Sequence, residues 1–138
     1  DRAILALKTA TGLDPRQLAS HIALAQAYLQ QKDYPHAVAT LKQAQTLAPQ
    51  DHKVNYHLGM ALAALKRYPE ALEAFKHAGD EAQGYNNIGV HYFMDGKYEE
   101  AAKCFQQAIE LRTTFYGEAK ANLQRALEKL HQSRKDDS

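Results

Sequence analysis

The chain of 138 residues holds a single cysteine, Cys104, so it can build no intramolecular disulfide framework and no thiol cluster for zinc. Seventeen basic and sixteen acidic side chains leave a net charge of +1, which removes the electrostatic case for nucleic acid or membrane-surface binding. No apolar run approaches the length of a transmembrane helix, so no membrane insertion is expected, and no signal peptide's charged and apolar regions open the chain. Gly-rich phosphate loops, nucleophile elbows and paired carboxylates are missing, and enzyme activity is not expected. Seven histidines form no useful constellation. His52 and His57 are five residues apart, on different sides of a helix, and there is no H-E-x-x-H, so neither metal nor cofactor is expected. Cys104, one residue before Phe105, reads as a partly buried structural thiol.

What the chain does have is a phased repeat. Tyr34, Ala37, Leu41, Ala44 and Pro49 recur at the same spacing as Tyr68, Ala71, Phe75 and Ala78, and again as Tyr98, Ala101, Phe105 and Ala108. Each set follows a trio of an aliphatic residue, a small residue and an apolar residue three places on: Leu24, Ala25, Tyr28; Leu58, Gly59, Leu62; Ile88, Gly89, Tyr92. A small residue lets one helix back closely onto another, while the large residue fills the groove opposite. Pro35 and Pro69 suit first turns, where the missing N–H is not needed. This pattern resembles the tetratricopeptide repeat. The resemblance implies an all-α fold, a right-handed α-solenoid of antiparallel helix hairpins, closed by a C-terminal capping helix.

The spacing predicts helices over about residues 2–11, 16–31, 35–47, 52–65, 69–78, 81–95, 98–111 and 115–132. Gly12 is expected to end the first helix and Asp14 to cap the second, with Asp51 and Asp80 as further caps. Residues 1–15 match a second helix, through Ala3, Leu7, Ala10 and Pro15, and read as half of a truncated repeat. Three repeats follow at 16–50, 51–80 and 81–114, then a capping helix at 115–132 and a polar tail at 133–138. The middle repeat is short: the period is 34 residues from Tyr34 to Tyr68 but 30 from Tyr68 to Tyr98, with the deletion placed after Ala78. Ile4 and Leu5 are expected to leave an apolar edge at the start of the chain, open to self-association. In the last helix Ala119, Leu123, Ala126, Leu127 and Leu130 are expected to share the packed face.

The resemblance further implies that first helices line a concave groove that binds a protein or peptide partner. The groove candidates are Ile22, Gln26, Leu29, Lys53, Tyr56, His57, Met60, Asn86, Asn87, Val90, Phe93 and Met94, a mixed apolar and amide set suited to an extended peptide or amphipathic helix. Some family members grip a C-terminal carboxylate with a clamp of two Lys, two Asn and an Arg. Ile22, Gln26, His57, Gln83 and Asn87 stand in those places, so that chaperone-linked role is not expected. The run Tyr85-Asn86-Asn87-Ile88-Gly89 is similar to bacterial pilus-assembly members of TadD or PilF type, which implies a setting in pilus or secretion assembly, cytoplasmic or periplasmic. The other reading is a structural module that stacks through its N-terminal edge.

Overall fold

A computed structural model describes residues 1–112, 114 and 116–137. Within these the chain is wholly helical: α1 (Arg2–Leu13), α2 (Leu18–Gln30), α3 (Tyr34–Leu47), α4 (His52–Ala64), α5 (Tyr68–His77), α6 (Glu81–Met94), α7 (Tyr98–Leu111) and α8 (Gly117–Asp136). The expected start of the last helix at residue 115 and the final residue of the tail, 138, lie outside the described residues. Two compact units divide at Gly79. In the first, α1 to α5 pack in succession, each on the next; in the second, α6 packs on α7, α7 on α8, and α6 also touches α8.

An aspartate side chain bonded to the backbone caps the start of each of α3, α4 and α6. Asp33, Asp51 and Asp80 accept hydrogen bonds from the backbone N–H groups of His36, Val54 and Gln83 at 3.3, 2.9 and 3.0 Å. These satisfy donors that the helix itself cannot. Gly12, expected to break α1, lies inside it. Asp14 does not cap α2 either: its carboxylate accepts from Arg16 N–H at 3.3 Å, holding the turn, and α2 begins at Leu18 without a side-chain cap. The turns inside the hairpins are alike. Asp33, Arg67 and Lys97 each donate N–H to the carbonyl five residues back, at 2.9 Å, with Lys32, Lys66 and Gly96 in the left-handed region between. That pairing is the Schellman closure of a helix end. The short repeat owes its missing residues to one turn of helix, since α5 has 10 residues where α3 and α7 have 14.

Close helix approach is what the repeat spacing secures. A Cβ built on Gly59 would stand 2.8 Å from the Phe75 ring, and one on Gly89 would stand 2.6 Å from the Phe105 ring. Both rings are buried, and burial of each contributes roughly 1.5–3 kcal/mol. The first hairpin solves the same problem with a larger small residue and a smaller large one, Ala25 and Leu41, both buried. The trade is therefore one of volume across a fixed gap.

In α8 the buried positions are Ala119, Asn122 and Ala126, with Leu123 and Leu130 half-buried. Leu127, expected on that face, is 51% exposed. The helix is rotated so that the small Ala and Asn residues meet α6 and α7, and it continues to Asp136 beyond the expected end. The expectation for α1 is also corrected. Ile4 is the buried residue of the helix, which packs on α2, while Leu5 stays exposed.

Gly59→Ala should destabilise the chain by about 1–3 kcal/mol, because the new methyl meets a ring that has nowhere to move. Adding Phe75→Leu should recover part of that loss, as in the Ala25 and Leu41 pair; urea unfolding of the four cycle members measures it. Additive losses would show that the two positions do not share the gap.

Candidate functional site

The second unit contains a cleft of about 300 Å3, walled by Val90 and Phe93 of α6, floored by Phe105 of α7, and closed by Glu118, Asn122 and Arg125 of α8. Each wall has a sequence cause. Val90 and Phe93 lie three residues apart, one turn along α6, while Glu118, Asn122 and Arg125 recur at helical spacing along α8. The packing of α8 against α6 brings the two rows together.

A chain of amides runs behind this cleft. Arg125 donates to the Asn122 carbonyl, the Asn122 amide donates to Asn86 Oδ1 at 3.0 Å, and the Asn86 amide donates to Glu118 Oε1 at 3.2 Å. The direction is uniform, from a cation through two amides to an anion. Buried amides in such a series polarise one another and fix each other's orientation. Arg125 and Glu118 are exposed at the two ends, so the cleft offers a cationic donor and an anionic acceptor with an apolar wall between them. Tyr116 and Arg112 tie the same unit together: the Tyr116 hydroxyl donates to Gln83 Oε1 at 2.6 Å, and the Arg112 guanidinium lies 4.0 Å over the Tyr116 ring and 3.2 Å from Asp80.

The sequence candidates divide by position. Asn86 is a correction: expected to face a ligand, it is 1% exposed, because α8 covers it and takes both ends of its carboxamide. Asn87, Val90 and Phe93 are half-buried, Phe93 lying edge-on to Tyr98 at 5.2 Å, and Met94 is 74% exposed beyond the cleft. In the first unit Ile22, Gln26 and Leu29 are half-buried on α2. On α4, Tyr56, His57 and Met60 are half-buried and Lys53 is exposed. Tyr56 stands edge-on to Phe75 at 5.7 Å and to His57 at 5.8 Å, so part of its ring is committed to packing. Glu118, Asn122, Arg125 and Phe105 were not among the candidates. The signal for them is phase: Asn122 and Leu123 stand 35 residues after Asn87 and Ile88, which makes α8 a first helix in register.

Two histidines and the cysteine have defined surroundings. His21 is buried with Nε2 2.7 Å from the Pro15 carbonyl, and His36 stacks on Tyr28 and pairs with Asp33 at 2.8 Å. Burial, then the nearby Glu100 carboxylate, pushes the Cys104 thiol up to about 11, so it is protonated at neutral pH. Among the described residues no three His, Cys, Asp or Glu side chains gather as metal ligands, and no helix is long and apolar enough to cross a membrane.

Hairpins of this kind, with the small-and-large interlock and a cleft between first helices, define a helical-repeat interaction scaffold. A family model described as tetratricopeptide repeat matches residues 82–115, and one described as anaphase-promoting complex, cyclosome, subunit 3 matches residues 1–78. Solved structures of MamA are similar. One designated AMB-1 is 30% identical, with 81% of this chain and 68% of that chain aligned at a TM-score of 0.62. The one designated MSR-1 is also 30% identical, over 80% of this chain and 66% of that one, at 0.64. A thermophilic repeat protein of Thermus thermophilus shares the fold at 21% identity and a TM-score of 0.62, over 91% of this chain and 71% of that one. No curated protein sequence matches. The chain belongs to the tetratricopeptide-repeat family, whose members are protein-interaction scaffolds.

Two outcomes test the site's internal chemistry. Asn86→Ala should cost about 1–3 kcal/mol in thermal or urea unfolding, since it strands the buried Asn122 amide. For His57, burial first and Lys53 second lower the pKa from 6.5, so the fold favours the neutral ring. Its contribution to stability is complete above the unfolded value of 6.5 and declines as pH falls below it, because the unfolded chain then binds more protons. His57→Gln should flatten that decline in unfolding curves taken from about pH 7 to pH 5.

Proposed function

We propose that this chain binds a partner peptide or helix through its first helices, with the α6–α8 cleft of the second unit as the anchoring point. The observation that carries the reading is the cleft itself: an apolar wall of Val90 and Phe93 facing Glu118, Asn122 and Arg125, which the buried Asn86 ties together from behind. An apolar side chain of the partner would enter beside Val90 and Phe93. Arg125 would donate to its backbone carbonyls or a carboxylate, and Glu118 would accept from its N–H groups. In this reading Asn87 and Met94 extend the contact surface in the second unit, while Ile22, Gln26, Leu29, Lys53, Tyr56, His57 and Met60 offer a contact surface of the first unit. A setting in pilus or secretion assembly rests on the Tyr85-to-Gly89 run alone. The class of scaffold gives no reaction to assign, and the proposed role is non-enzymatic.

A second reading has its own observation. Ala3 of α1 is exposed and Leu7 and Ala10 are half-buried, although their counterparts Ala37, Leu41 and Ala44 in α3 are fully buried. That face suits self-association through the N-terminal helix.

Peptides selected from a random display library on the full chain provide a probe for the first reading. Val90→Glu and Arg125→Ala should each weaken their binding at least tenfold by calorimetry, with helix content unchanged by circular dichroism. Binding that matches the wild type in both variants would remove the cleft as the anchor.

A further inference from the structure

In the first unit one buried side chain fastens each turn between hairpins, and in the first of these turns it keeps an unused acceptor. His21 and Asn55 stand one repeat period apart, and each reaches the carbonyl of the proline six residues before it. His21 Nε2 lies 2.7 Å from the Pro15 oxygen, and Asn55 Nδ2 donates to the Pro49 oxygen at 3.0 Å. Each side chain then has a second polar atom to satisfy. Asn55 Oδ1 accepts from the Gln45 amide of α3 at 2.8 Å. The residue of α1 in the place of Gln45 is Thr11, whose hydroxyl donates instead to the Lys8 carbonyl at 2.9 Å. His21 is 5% exposed, and its Nδ1 has no hydrogen-bond partner among the described residues. Because a carbonyl only accepts, Nε2 carries the proton, and Nδ1 is an acceptor buried without a donor. Thr11 and His21 line a cleft of about 510 Å3 bordered also by Lys8, Thr40, Gln43 and Thr46. Thr40 and Thr46 donate to the His36 and Gln43 carbonyls at 2.9 and 2.6 Å, so their hydroxyls have lone pairs left to offer.

We infer that this cleft binds a primary carboxamide, the side chain of a glutamine or asparagine on a partner segment, which does from outside what Gln45 does from within. The shared register sets Nδ1 toward Thr11, as it sets Asn55 Oδ1 toward Gln45. One N–H of the carboxamide donates to Nδ1, its second faces the threonine lone pairs, and its oxygen accepts from the exposed Lys8 ammonium. Other groups fit less well. A carboxylate has no proton for Nδ1, and an ammonium or guanidinium would meet Lys8 as a like charge. The burial of His21 selects a flat, slender occupant, and Thr11 with Gly12 takes up less volume than Gln45 with Thr46 in the next hairpin. The contact does not depend on what precedes α1, since Gln45 meets Asn55 with α2 packed on α3. It is a site separate from the α6–α8 cleft, and it stands whether or not that cleft anchors a partner.

The test follows the imidazole nitrogen-15 resonances of the full chain, with His21 assigned through His21→Asn, during titration with acetylglutamine methylamide. Acetylmethionine methylamide, of similar length and without a side-chain N–H, is the control. The glutamine probe should move the His21 Nδ1 signal saturably toward its hydrogen-bonded value; the methionine probe should bind at least tenfold more weakly and leave that signal in place. Thr11→Gln should move the Nδ1 signal with no probe present, raise the midpoint of urea unfolding, and weaken the glutamine probe at least tenfold, because the new side chain takes the position that Gln45 has on Asn55. Lys8→Met, at an exposed position, is the second variant. It should weaken the glutamine probe severalfold and leave the probe-free Nδ1 signal unchanged. The absence of a saturable Nδ1 response to the glutamine probe overturns the site, including the case in which that signal is already hydrogen-bonded to a water. An equal response to the two probes, or undiminished binding in both variants, overturns it as well.

Discussion

The contact between a small residue on one helix and a large side chain on the next sets the dimensions of this molecule. Gly59 admits the Phe75 ring and Gly89 admits the Phe105 ring at distances that leave no room for a methyl group. Because the backbones meet so closely there, the helix crossing is fixed on both sides of the contact. The trios and second-helix positions one turn away then fall into place as buried core. The left-handed turns at Lys32, Lys66 and Gly96 serve the same end, since they reverse the chain quickly enough for the two halves of the interlock to meet.

The cleft of the second unit is a consequence of that spacing. Once α6 and α7 are locked by Gly89 and Phe105, α8 has one way to add to the pair, and it does so with Ala119, Asn122 and Ala126 inward. Small residues bring the backbones close enough for Asn122 to reach Asn86, and the amide series follows. Arg125 and Glu118 are thereby held at fixed ends of an apolar wall. In the proposed role such a face would meet a partner already ordered, with less ordering entropy to lose. The same rotation of α8 leaves Leu127 exposed.

Most of the fold was legible because its cause is periodic. Helix positions and the caps at Asp51 and Asp80 follow from spacing and from side chains that bond their own backbone. The failures share a different cause. Gly12 reads as a stop, yet a glycine ends a helix only when the chain must turn there, and α1 runs on to Leu13. Asn86 reads as a ligand contact, as Asn87 does, and no local feature separates adjacent amides. Which of them is buried depends on a helix some 30 residues away, through the hydrogen bond to Asn122.

By itself the sequence determined the repeat, its family and the class of interaction scaffold, because small and large residues in phase allow few other ways to bury them. Tertiary structure alone decided which face of α8 is packed. That choice buried Asn86, assembled Glu118, Asn122 and Arg125 opposite Val90 and Phe93, and left Leu127 exposed. The physical reason is that a helix with small residues on several faces, as α8 has at Ala119, Ala121 and Ala126, takes its rotation from the neighbours it packs against and not from its own pattern.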